Sequence, residues 1–295
     1  MQRYRTPLLI LLSLGLLGTG ALVLWAATLP VPDFSAIESR RVSQSTKIYD
    51  RTGQVLLYDV HRDIRRTVMP IENISRVIKN ATIAIEDSEF YSHRGVKPSA
   101  IFRAFITNLS SGSAAQGGST ITQQVIKNAL LTPEKTLTRK IKEAILALKL
   151  EREATKEQIL GLYLNESPYG GSLYGVEEAS RAFFGKSASD VTLGEAAYLA
   201  SLPKAPSYYS PYGSHRIELD ARKNLVLARM KELGFITDTE YAKAKAERVM
   251  FLPDSTGGLK APHFVMMVRD ALEKTYGPDA VMQGGLLVTT TLDWD

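Results

Sequence analysis

The stretch GGSTITQQVIKN, residues 117–128, decides how the rest of the sequence is interpreted. Two glycines precede a run of uncharged side chains that can form hydrogen bonds, and Thr120 and Gln123 have the spacing of a helix-capping box. Glycine lets a ligand approach the backbone closely, and the free N–H groups of a helix start attract phosphate. A plain helix start after a flexible loop would show the same pattern, so this stretch alone leaves its function open.

A basic helix is predicted directly downstream, over residues 137–149. Arg139 and Lys140 lie three or four residues before Glu143, so these three side chains share one helix face. Apolar residues form the opposite stripe, namely Leu137, Ile141, Ile145 and Leu148. A solvated, salt-bridged face explains the charges by themselves. It does not explain why they follow an uncharged anion-binding helix start, and the two helices together suit a pyrophosphate leaving group.

Upstream, an apolar helix ends in a cluster of acidic residues, EDSE at residues 86–89. The dipole of a helix disfavours carboxylates at its C-terminus, and such local conflicts concentrate at functional sites. The alternatives are a functional carboxylate site and a solvated acidic turn, and this segment alone does not separate them.

Composition and charge narrow the classes of protein and of partner. The chain has 295 residues, of which 44% are hydrophobic and 23% charged, enough for one large or two modest globular domains. A formal net charge of +5 favours anionic partners, which include nucleic acid, phosphorylated substrates and an acidic membrane surface. Because the chain has no cysteine, disulfides and thiolate catalysis are excluded.

The N-terminal region predicts a membrane anchor at residues 7–29. This apolar, charge-free stretch exceeds the roughly 20 residues that a helix needs to cross a bilayer core. Arg3 and Arg5 favour a cytoplasmic tail, residues 1–6, and export of everything after the anchor. A cleaved signal peptide is the alternative, but its apolar region is usually shorter, about 7–15 residues.

The remaining regions differ in their hydrophobic periodicity. Residues 30–45 indicate a linker, and residues 47–60 indicate a β-hairpin with Gly53 in its turn. From about residue 74 to 245 the period is helical. The β-rich segment GGLLVTTTLDWD, residues 284–295, has no strand after it. It predicts either the start of a further domain or a strand that pairs backwards in the chain.

Five stretches, in this order, resemble the motifs of the family 51 peptidoglycan glycosyltransferases. They are EDSEFYSHRG (86–95), GGSTITQQVIKN (117–128), RKIKEAILALKLE (139–151), KEQILGLYLNESPYG (156–170) and AAYLASLPKAPSYYSP (196–211). The resemblance implies a mainly α, lysozyme-like glycosyltransferase domain over residues 46–245, with a small N-terminal β-hairpin and one transmembrane helix before it. Residues 246–295 would be a linker and the truncated start of a C-terminal, transpeptidase-side region of a class A penicillin-binding protein.

The resemblance also implies roles for individual residues. Glu86 resembles the general base, and Glu143 resembles a second essential carboxylate that is a candidate ligand of a divalent cation such as Mg²⁺. No organic cofactor is expected. The residues implied in substrate binding are Ser119, Thr120, Gln123, Gln124, Lys127, Lys135, Arg139 and Lys140. His93 is expected to be a structural hydrogen-bonding residue, and Lys97 departs from the acidic or small residue that the family often has nearby.

The activity implied is polymerisation of lipid II into β-1,4 glycan strands, with inversion at the anomeric centre and release of undecaprenyl pyrophosphate. The implied partners are lipid II, the growing lipid-linked glycan, membrane lipids and other cell-wall synthesis proteins, and nucleic acid is not expected. The implied location is the outer, periplasmic face of a bacterial cytoplasmic membrane.

Two other functions remain open beside this one. A lysozyme-like glycan hydrolase also uses two carboxylates, although it has no pyrophosphate for a basic cluster to neutralise. A non-catalytic, membrane-tethered scaffold would not need Glu86 and Glu143, which are both present. Ser201 and Lys204 match the S-x-x-K pattern of penicillin-binding enzymes, but Pro203 breaks the helix which that pair needs, and no transpeptidase site is predicted.

Overall fold

Helices make up most of the part of the chain that the structure describes. The computed structural model describes residues 13, 15–17, 20, 24–31, 46–60, 65–97, 118–131, 136–253, 260–277, 280–281 and 285–294. The helices are α1 (Arg76–Glu86), α2 (Ile121–Leu130), α3 (Leu137–Glu153), α4 (Lys156–Glu166), α5 (Val176–Phe184), α6 (Leu193–Ser201), α7 (Arg216–Glu232), α8 (Asp238–Ala246) and α9 (Pro262–Tyr276). The strands are β1 (Thr46–Tyr49), β2 (Leu56–Val60), β3 (Arg65–Arg66), β4 (Pro168–Gly170), β5 (Leu173–Tyr174) and β6 (Leu287–Thr289). The prediction of a mainly α fold is confirmed.

About half of the predicted membrane anchor, residues 7–29, lies outside the described residues. Residues 13, 15–17, 20 and 24–28 are helical. Within the part of the chain that the structure describes, no helix is both long enough and apolar enough to span a bilayer. The predicted tail, residues 1–6, also lies outside the described residues, and so does nearly all of the linker, residues 30–45. All three remain predictions.

Threonine side chains define where several helices begin. The N-cap threonine of α2, α4, α6 and α8 accepts a hydrogen bond from the backbone N–H three residues later, and the Gln or Glu at that position bonds back to the N-cap N–H. These N-cap residues are Thr120, Thr155, Thr192 and Thr237. Each cap satisfies backbone donors that a helix leaves unpaired, which contributes about 1 kcal/mol per helix.

Small side chains bring α1, α6 and α7 close together. Ala81 and Ala84 of α1, with Ala197 and Ala200 of α6, are buried in one apolar cluster. Val226, Leu227 and Met230 of α7 complete this cluster. Because alanine allows helix backbones to approach each other closely, the C-terminal end of α1 is held against α6 and α7. Glu86 is the last residue of α1, so this packing determines its position.

A larger core packs the segment that follows α1 against α2, α3 and α4. Phe90, which comes shortly after α1, is buried in this core. The helices contribute Ile121 and Ile126 (α2), Leu150 (α3) and Tyr163 (α4). The segment after α1 is therefore anchored to the helices that carry the remaining predicted site residues.

The first strands form a sheet with the C-terminal part of the chain. β1 is antiparallel to β2 and parallel to β6, with Ile48 opposite Val288. Ile48 and Leu57 pack with Val265 of α9 and with Val281 in a separate small core. Of the two alternatives for the last β-rich segment, pairing backwards is the one observed. The predicted domain boundary at residue 245 remains a prediction.

Gly95 allows the loop after α1 to lie directly on α3. Its φ is +86°, and a Cβ atom built there would be 2.7 Å from the carbonyl oxygen of Ala147. We expect Gly95→Ala to lower the free energy of unfolding by at least about 2 kcal/mol, because it adds a backbone clash to the strain of a positive φ. Gly234→Ala is the matched control, since Gly234 has φ +72° and no atom within 4 Å of a built Cβ. Chemical unfolding followed by circular dichroism measures both, and equal losses would contradict the proposed clash.

Candidate active site

Glu86 lies where three helices meet, with both carboxylate oxygens in contact with side chains from other helices. Gln124 of α2 donates a hydrogen bond from Nε2 to Glu86 Oε2 over 2.8 Å. Arg222 of α7 donates from Nη2 to Glu86 Oε1 over 3.4 Å. The side chain of Glu86 keeps 13% of its surface exposed, so it is oriented by the protein and still reachable by a substrate.

The second predicted carboxylate, Glu143, lies on α3 and is almost fully buried, with 2% of its side chain exposed. Lys140, one helical turn earlier, forms an ion pair with Glu143 Oε1. The same ammonium group donates to Ser119 Oγ at 2.6 Å. Lys140 therefore links the start of α2 to the carboxylate of α3. The spacing of the basic helix predicted that Lys140 and Glu143 share one face, but not the contact with Ser119.

Lys127 of α2 lies within electrostatic range of both carboxylates. Crowding by neighbouring atoms desolvates its ammonium group and lowers its pKa. The negative charges of Glu143 and Glu86 oppose this effect, whereas the positive charges of Lys140 and Arg139 reinforce it. The net direction is a lowered pKa. We call Glu86, Gln124, Lys127, Lys140 and Glu143 the active-site cluster.

The polar run at the start of α2 divides into structural and accessible side chains. Thr120 and Gln123 form the capping box, and Thr120 Oγ1 also donates to the carbonyl oxygen of Gly95 at 2.6 Å. Both are buried, with 1% and 5% of their surface exposed. These contacts account for their polar character, and their predicted contacts with substrate remain untested.

Other members of the same run have different partners. Thr122 is buried and donates to Glu151 Oε1 at 2.5 Å. Ser119 and Gln124 contact Lys140 and Glu86 respectively. The run thus attaches the first turn of α2 to the surrounding structure and aims two of its polar side chains at the active-site cluster.

Asp87 connects the Glu86 segment to the start of α2. Its Oδ2 accepts the backbone N–H of Ile121 at 3.0 Å and lies 2.8 Å from His93 Nε2. Lys97 Nζ lies 2.5 Å from Oδ1. Burial alone would raise the pKa of Asp87, but the hydrogen bonds with His93, Lys97 and Ile121 outweigh it and lower that pKa. His93 has the hydrogen-bonding position that was expected of it, and Lys97 supplies a counter-charge.

Of the predicted substrate-binding cations Lys135 and Arg139, the structure describes only Arg139. Lys135 lies outside the described residues. Arg139 Nε is buried and has no hydrogen-bond partner among the residues that the structure describes. Those residues also contain no group of three or more His, Asp or Glu side chains that could hold a metal ion.

Sequence reasoning missed three residues that surround Glu86. Arg222 is 136 residues away in the chain, and its Nε donates to the carbonyl oxygen of Ser201 at 3.0 Å. Tyr163 and Tyr169 are buried, which raises the pKa of each phenol, and the charge of Glu86 raises both further. The helical period of α7 carried a signal for Arg222, because it places this residue on the buried face with Leu219 and Val226.

Ser201, the serine of the S-x-x-K pattern, is buried inside the protein. Ser201 is fully buried, and its Oγ donates to the carbonyl oxygen of Ala197 at 2.7 Å. Pro203 lies in the short 3-10 helix Leu202–Lys204 that follows α6. A buried hydroxyl that is bonded to its own helix does not act as a nucleophile on an external substrate.

Comparison with known proteins defines the class to which this arrangement belongs. Residues 53–231 match the model of the family described as Transglycosylase, and this match includes every member of the active-site cluster. The chain therefore belongs to the transglycosylase family.

Among curated relatives, the chain is similar to several penicillin-binding proteins. It is 41% identical to penicillin-binding protein 1A of Aquifex aeolicus over 90% of this chain and 36% of that protein. The corresponding protein of Escherichia coli is 39% identical over 88% of this chain and 30% of that protein. The chain thus spans about a third of the length of these relatives. A crystal structure of penicillin-binding protein 1A from Haemophilus influenzae matches 84% of this chain and 27% of that one, with 23% identity and a TM-score of 0.46.

Proposed function

We propose that this chain is a peptidoglycan glycosyltransferase that polymerises lipid II into β-1,4 glycan strands. Its membership of the transglycosylase family supports this function. The observation that carries the proposal is the active-site cluster, in which Lys127 interacts electrostatically with a partly exposed carboxylate, Glu86, and with a buried one, Glu143, and Lys140 forms an ion pair with Glu143. This arrangement pairs a base with positive charge suited to a phosphorylated leaving group.

In the proposed reaction, Glu86 removes the proton from the 4-hydroxyl of the acceptor GlcNAc. The hydroxyl oxygen then forms a bond to C1 of the MurNAc at the growing end, and the bond from C1 to the phosphate oxygen breaks. Attack from the face opposite the leaving group inverts the anomeric centre. The proton remains on Glu86, and the electron pair leaves with undecaprenyl pyrophosphate. General base catalysis of this kind typically contributes about 10²–10⁴-fold.

The cations would stabilise the negative charge that develops as pyrophosphate departs. Lys140 is oriented by Glu143, and Arg139 has a buried donor with no partner among the described residues. Lys127 lies near both carboxylates, and Lys135 is proposed for the same role from the resemblance alone. Ser119, Thr120, Gln123 and Gln124 complete the proposed donor site, in which Ser119 and Gln124 have the accessible contacts.

A divalent cation such as Mg²⁺ is proposed to assist, with Glu143 as its protein ligand. Mg²⁺ is usually held by one or two carboxylates together with substrate phosphates, so a single carboxylate beside a pyrophosphate site fits this ion. When bound, it would add positive charge next to the leaving group. Glu143 and Lys140 would then divide the work between ligation and direct contact with phosphate.

The proposed location is the outer face of a bacterial cytoplasmic membrane, where residues 7–29 form the anchor and lipids are contacted. Lys149 of α3 donates to the carbonyl oxygen of Leu29, which supports a position of the anchor's end against the helix that carries Glu143. The lysozyme-like description, the domain limits 46–245 and 246–295, and contacts with other cell-wall synthesis proteins are proposals of the same kind.

The glycan hydrolase is the second candidate, and one observation separates the two. A hydrolase has no use for several cations beside its second carboxylate, because its leaving group is an uncharged sugar. A non-catalytic scaffold would not need a partly exposed Glu86 that Gln124 and Arg222 hold in place.

The test is to incubate the purified chain in detergent with labelled lipid II and Mg²⁺. We expect polymer that a muramidase digests, and less polymer when a chelator removes the divalent cation. The same protein is incubated with preformed glycan as a control. Cleavage of that glycan without polymer formation would establish the hydrolase, and neither activity from folded protein would support the scaffold.

A further inference from the structure

We propose that Lys97 is a positioning residue for the reaction, because its ammonium group compensates the buried carboxylate of Asp87 that holds the start of α2 beside Glu86. This inference rests on the proposed function, in which Glu86 is the general base. Lys97 lies outside the five stretches that carry the family resemblance, since the first of them ends at residue 95 and the second begins at residue 117. Its role is therefore not carried over from the resemblance.

Asp87 connects the two helices that carry Glu86 and Gln124. It follows Glu86, the last residue of α1, and its Oδ2 accepts the backbone N–H of Ile121, the first residue of α2, at 3.0 Å. Three residues further along α2, Gln124 donates to Glu86 Oε2 at 2.8 Å. A negative charge is favoured at the start of a helix, where backbone N–H groups are unpaired. The carboxylate of Asp87 therefore sets the position of α2 relative to α1.

The carboxylate of Asp87 has no exposed side-chain surface, so it needs a positive charge beside it. His93 supplies a hydrogen bond to this group but no charge. The backbone N–H of Gly95 donates to His93 Nδ1 at 3.1 Å, which places the ring proton on Nε2, 2.8 Å from Asp87 Oδ2. An imidazole ring in this tautomer is neutral. The compensating charge must come from another residue.

Lys97 supplies that charge. Its Nζ lies 2.5 Å from Asp87 Oδ1, and 17% of its side chain is exposed. The carboxylate of Glu89 is further away, at 4.0 Å from the same ammonium group, and 62% of that side chain is exposed. Because close and buried charges are screened less than exposed ones, the ion pair with Asp87 is the stronger of the two. Burial raises the pKa of Asp87, but hydrogen bonds with His93 and Lys97 outweigh it and lower that pKa.

Other charged groups around this ion pair have partners of their own. Glu86 is paired with Arg222 of α7. Lys156 of α4, whose ammonium group lies over the ring that precedes this loop, is paired with Glu151 of α3. The contact from α2 is a backbone N–H group and not a charge. Lys97 is therefore the cation whose removal leaves the buried aspartate uncompensated.

Lys97→Met removes the charge from a side chain of similar length, and Lys97→Arg keeps it. For Lys97→Met we expect kcat of lipid II polymerisation to fall by about tenfold at neutral pH, because a shifted α2 no longer holds Gln124 against Glu86. For Lys97→Arg we expect kcat within about threefold of the wild type, because the charge is retained. Lys243→Met, which removes an exposed lysine from α8, is the control and should match the wild type.

A double-mutant cycle tests whether Lys97 acts through Asp87. Asp87→Asn keeps a hydrogen-bond acceptor for α2 but has no charge to compensate. Adding Lys97→Met to Asp87→Asn should therefore change kcat by less than about twofold, although the same change in the wild type lowers it about tenfold. The double variant leaves no buried charge unpaired, so it carries the test if Lys97→Met alone does not fold.

A third measurement does not depend on activity. A carboxylate with a lowered pKa stabilises the fold above its ordinary value, 3.8 for Asp87, and loses this contribution as the pH falls through its folded pKa. Lys97→Met removes one of the contacts that lower this pKa, so the contribution is lost at higher pH. We expect the midpoint of acid unfolding, followed by circular dichroism in detergent, to move up by about half a pH unit. Lys243→Met should leave it in place.

The outcomes separate this inference from the function on which it rests. Wild-type kcat in folded Lys97→Met would overturn the positioning role, and so would equal losses of kcat in Lys97→Met and Lys97→Arg. A further large loss on adding Lys97→Met to Asp87→Asn, or an unshifted acid midpoint, would show that Lys97 does not act by compensating Asp87. Failure of the wild type to form polymer would instead remove the proposed function and the role in the reaction, while the acid midpoint would still report on the ion pair.

Discussion

Replacing Glu86 with glutamine is expected to reduce the rate of lipid II polymerisation by on the order of 10³-fold. The amide has the shape of the carboxylate and can still accept the hydrogen bond from Gln124, so the fold should persist. It cannot take a proton from the acceptor hydroxyl, which is the step assigned to Glu86. The measurement is the initial rate of polymer formation from labelled lipid II at saturating substrate, compared with the wild type under identical detergent conditions.

Glu89→Gln is the matched control for this prediction. Glu89 lies three residues after Glu86, and 62% of its side chain is exposed. Replacing it with glutamine removes the same charge as Glu86→Gln does. We expect its rate to stay within about twofold of the wild type, as is usual for an exposed position. If Glu86→Gln kept more than a tenth of the activity, Glu86 would not be the base, although the glycosyltransferase function could still hold.

Local parts of the fold could be predicted from the sequence because their signals lie within a few residues. The capping boxes at Thr120 and Thr155 are complete within four positions, and both helices begin where that spacing indicates. The stretch from Arg139 to Glu143 spans little more than one helical turn, so periodicity alone predicted that Arg139, Lys140 and Glu143 share one face. It did not decide which cation pairs with Glu143, and the structure shows that Lys140 does.

The parts that could not be predicted depend on contacts between distant positions. Arg222 reaches Glu86 across 136 residues, and β1 pairs with β6 across about 240 residues. Periodicity indicates which face of a helix is buried but not which partner it meets. The family resemblance indicated contacts only for residues within the five quoted stretches. The last of these ends at residue 211, before α7 begins at Arg216.

A buried ionic network connects β1 to the helices. Its central residue, Glu178, lies outside the five stretches that resemble the family motifs. Glu178 of α5, with 2% of its side chain exposed, accepts Lys47 Nζ from β1 at 2.6 Å and Thr67 Oγ1 at 2.9 Å. Arg65 Nη2 lies 3.1 Å from its other oxygen. One carboxylate thus compensates two largely buried cations, from β1 and from β3, and joins the N-terminal sheet to the helical region.

Glu178→Gln is expected to lower the free energy of unfolding at pH 7 by about 3–5 kcal/mol. The amide fits the space, but it leaves Lys47 and Arg65 in a nearly dry site with no negative charge. Urea unfolding in detergent, followed by circular dichroism, measures the change. Glu218→Gln, at an exposed position on α7, serves as the control and should change stability by less than about 0.5 kcal/mol.

The pH dependence of this loss distinguishes an electrostatic cause from a packing defect. Burial alone would raise the pKa of Glu178, but Lys47, Arg65 and Thr67 outweigh it and lower the pKa below its ordinary value of 4.5. A carboxylate with a lowered pKa stabilises the fold above that ordinary value and loses this contribution as the pH falls through its folded pKa. The gap between wild type and Glu178→Gln should therefore be widest near neutral pH and close progressively below pH 4.5, since a protonated Glu178 resembles glutamine. A gap of constant size from pH 7 down to pH 3 would instead assign the loss to packing, because a packing defect does not titrate.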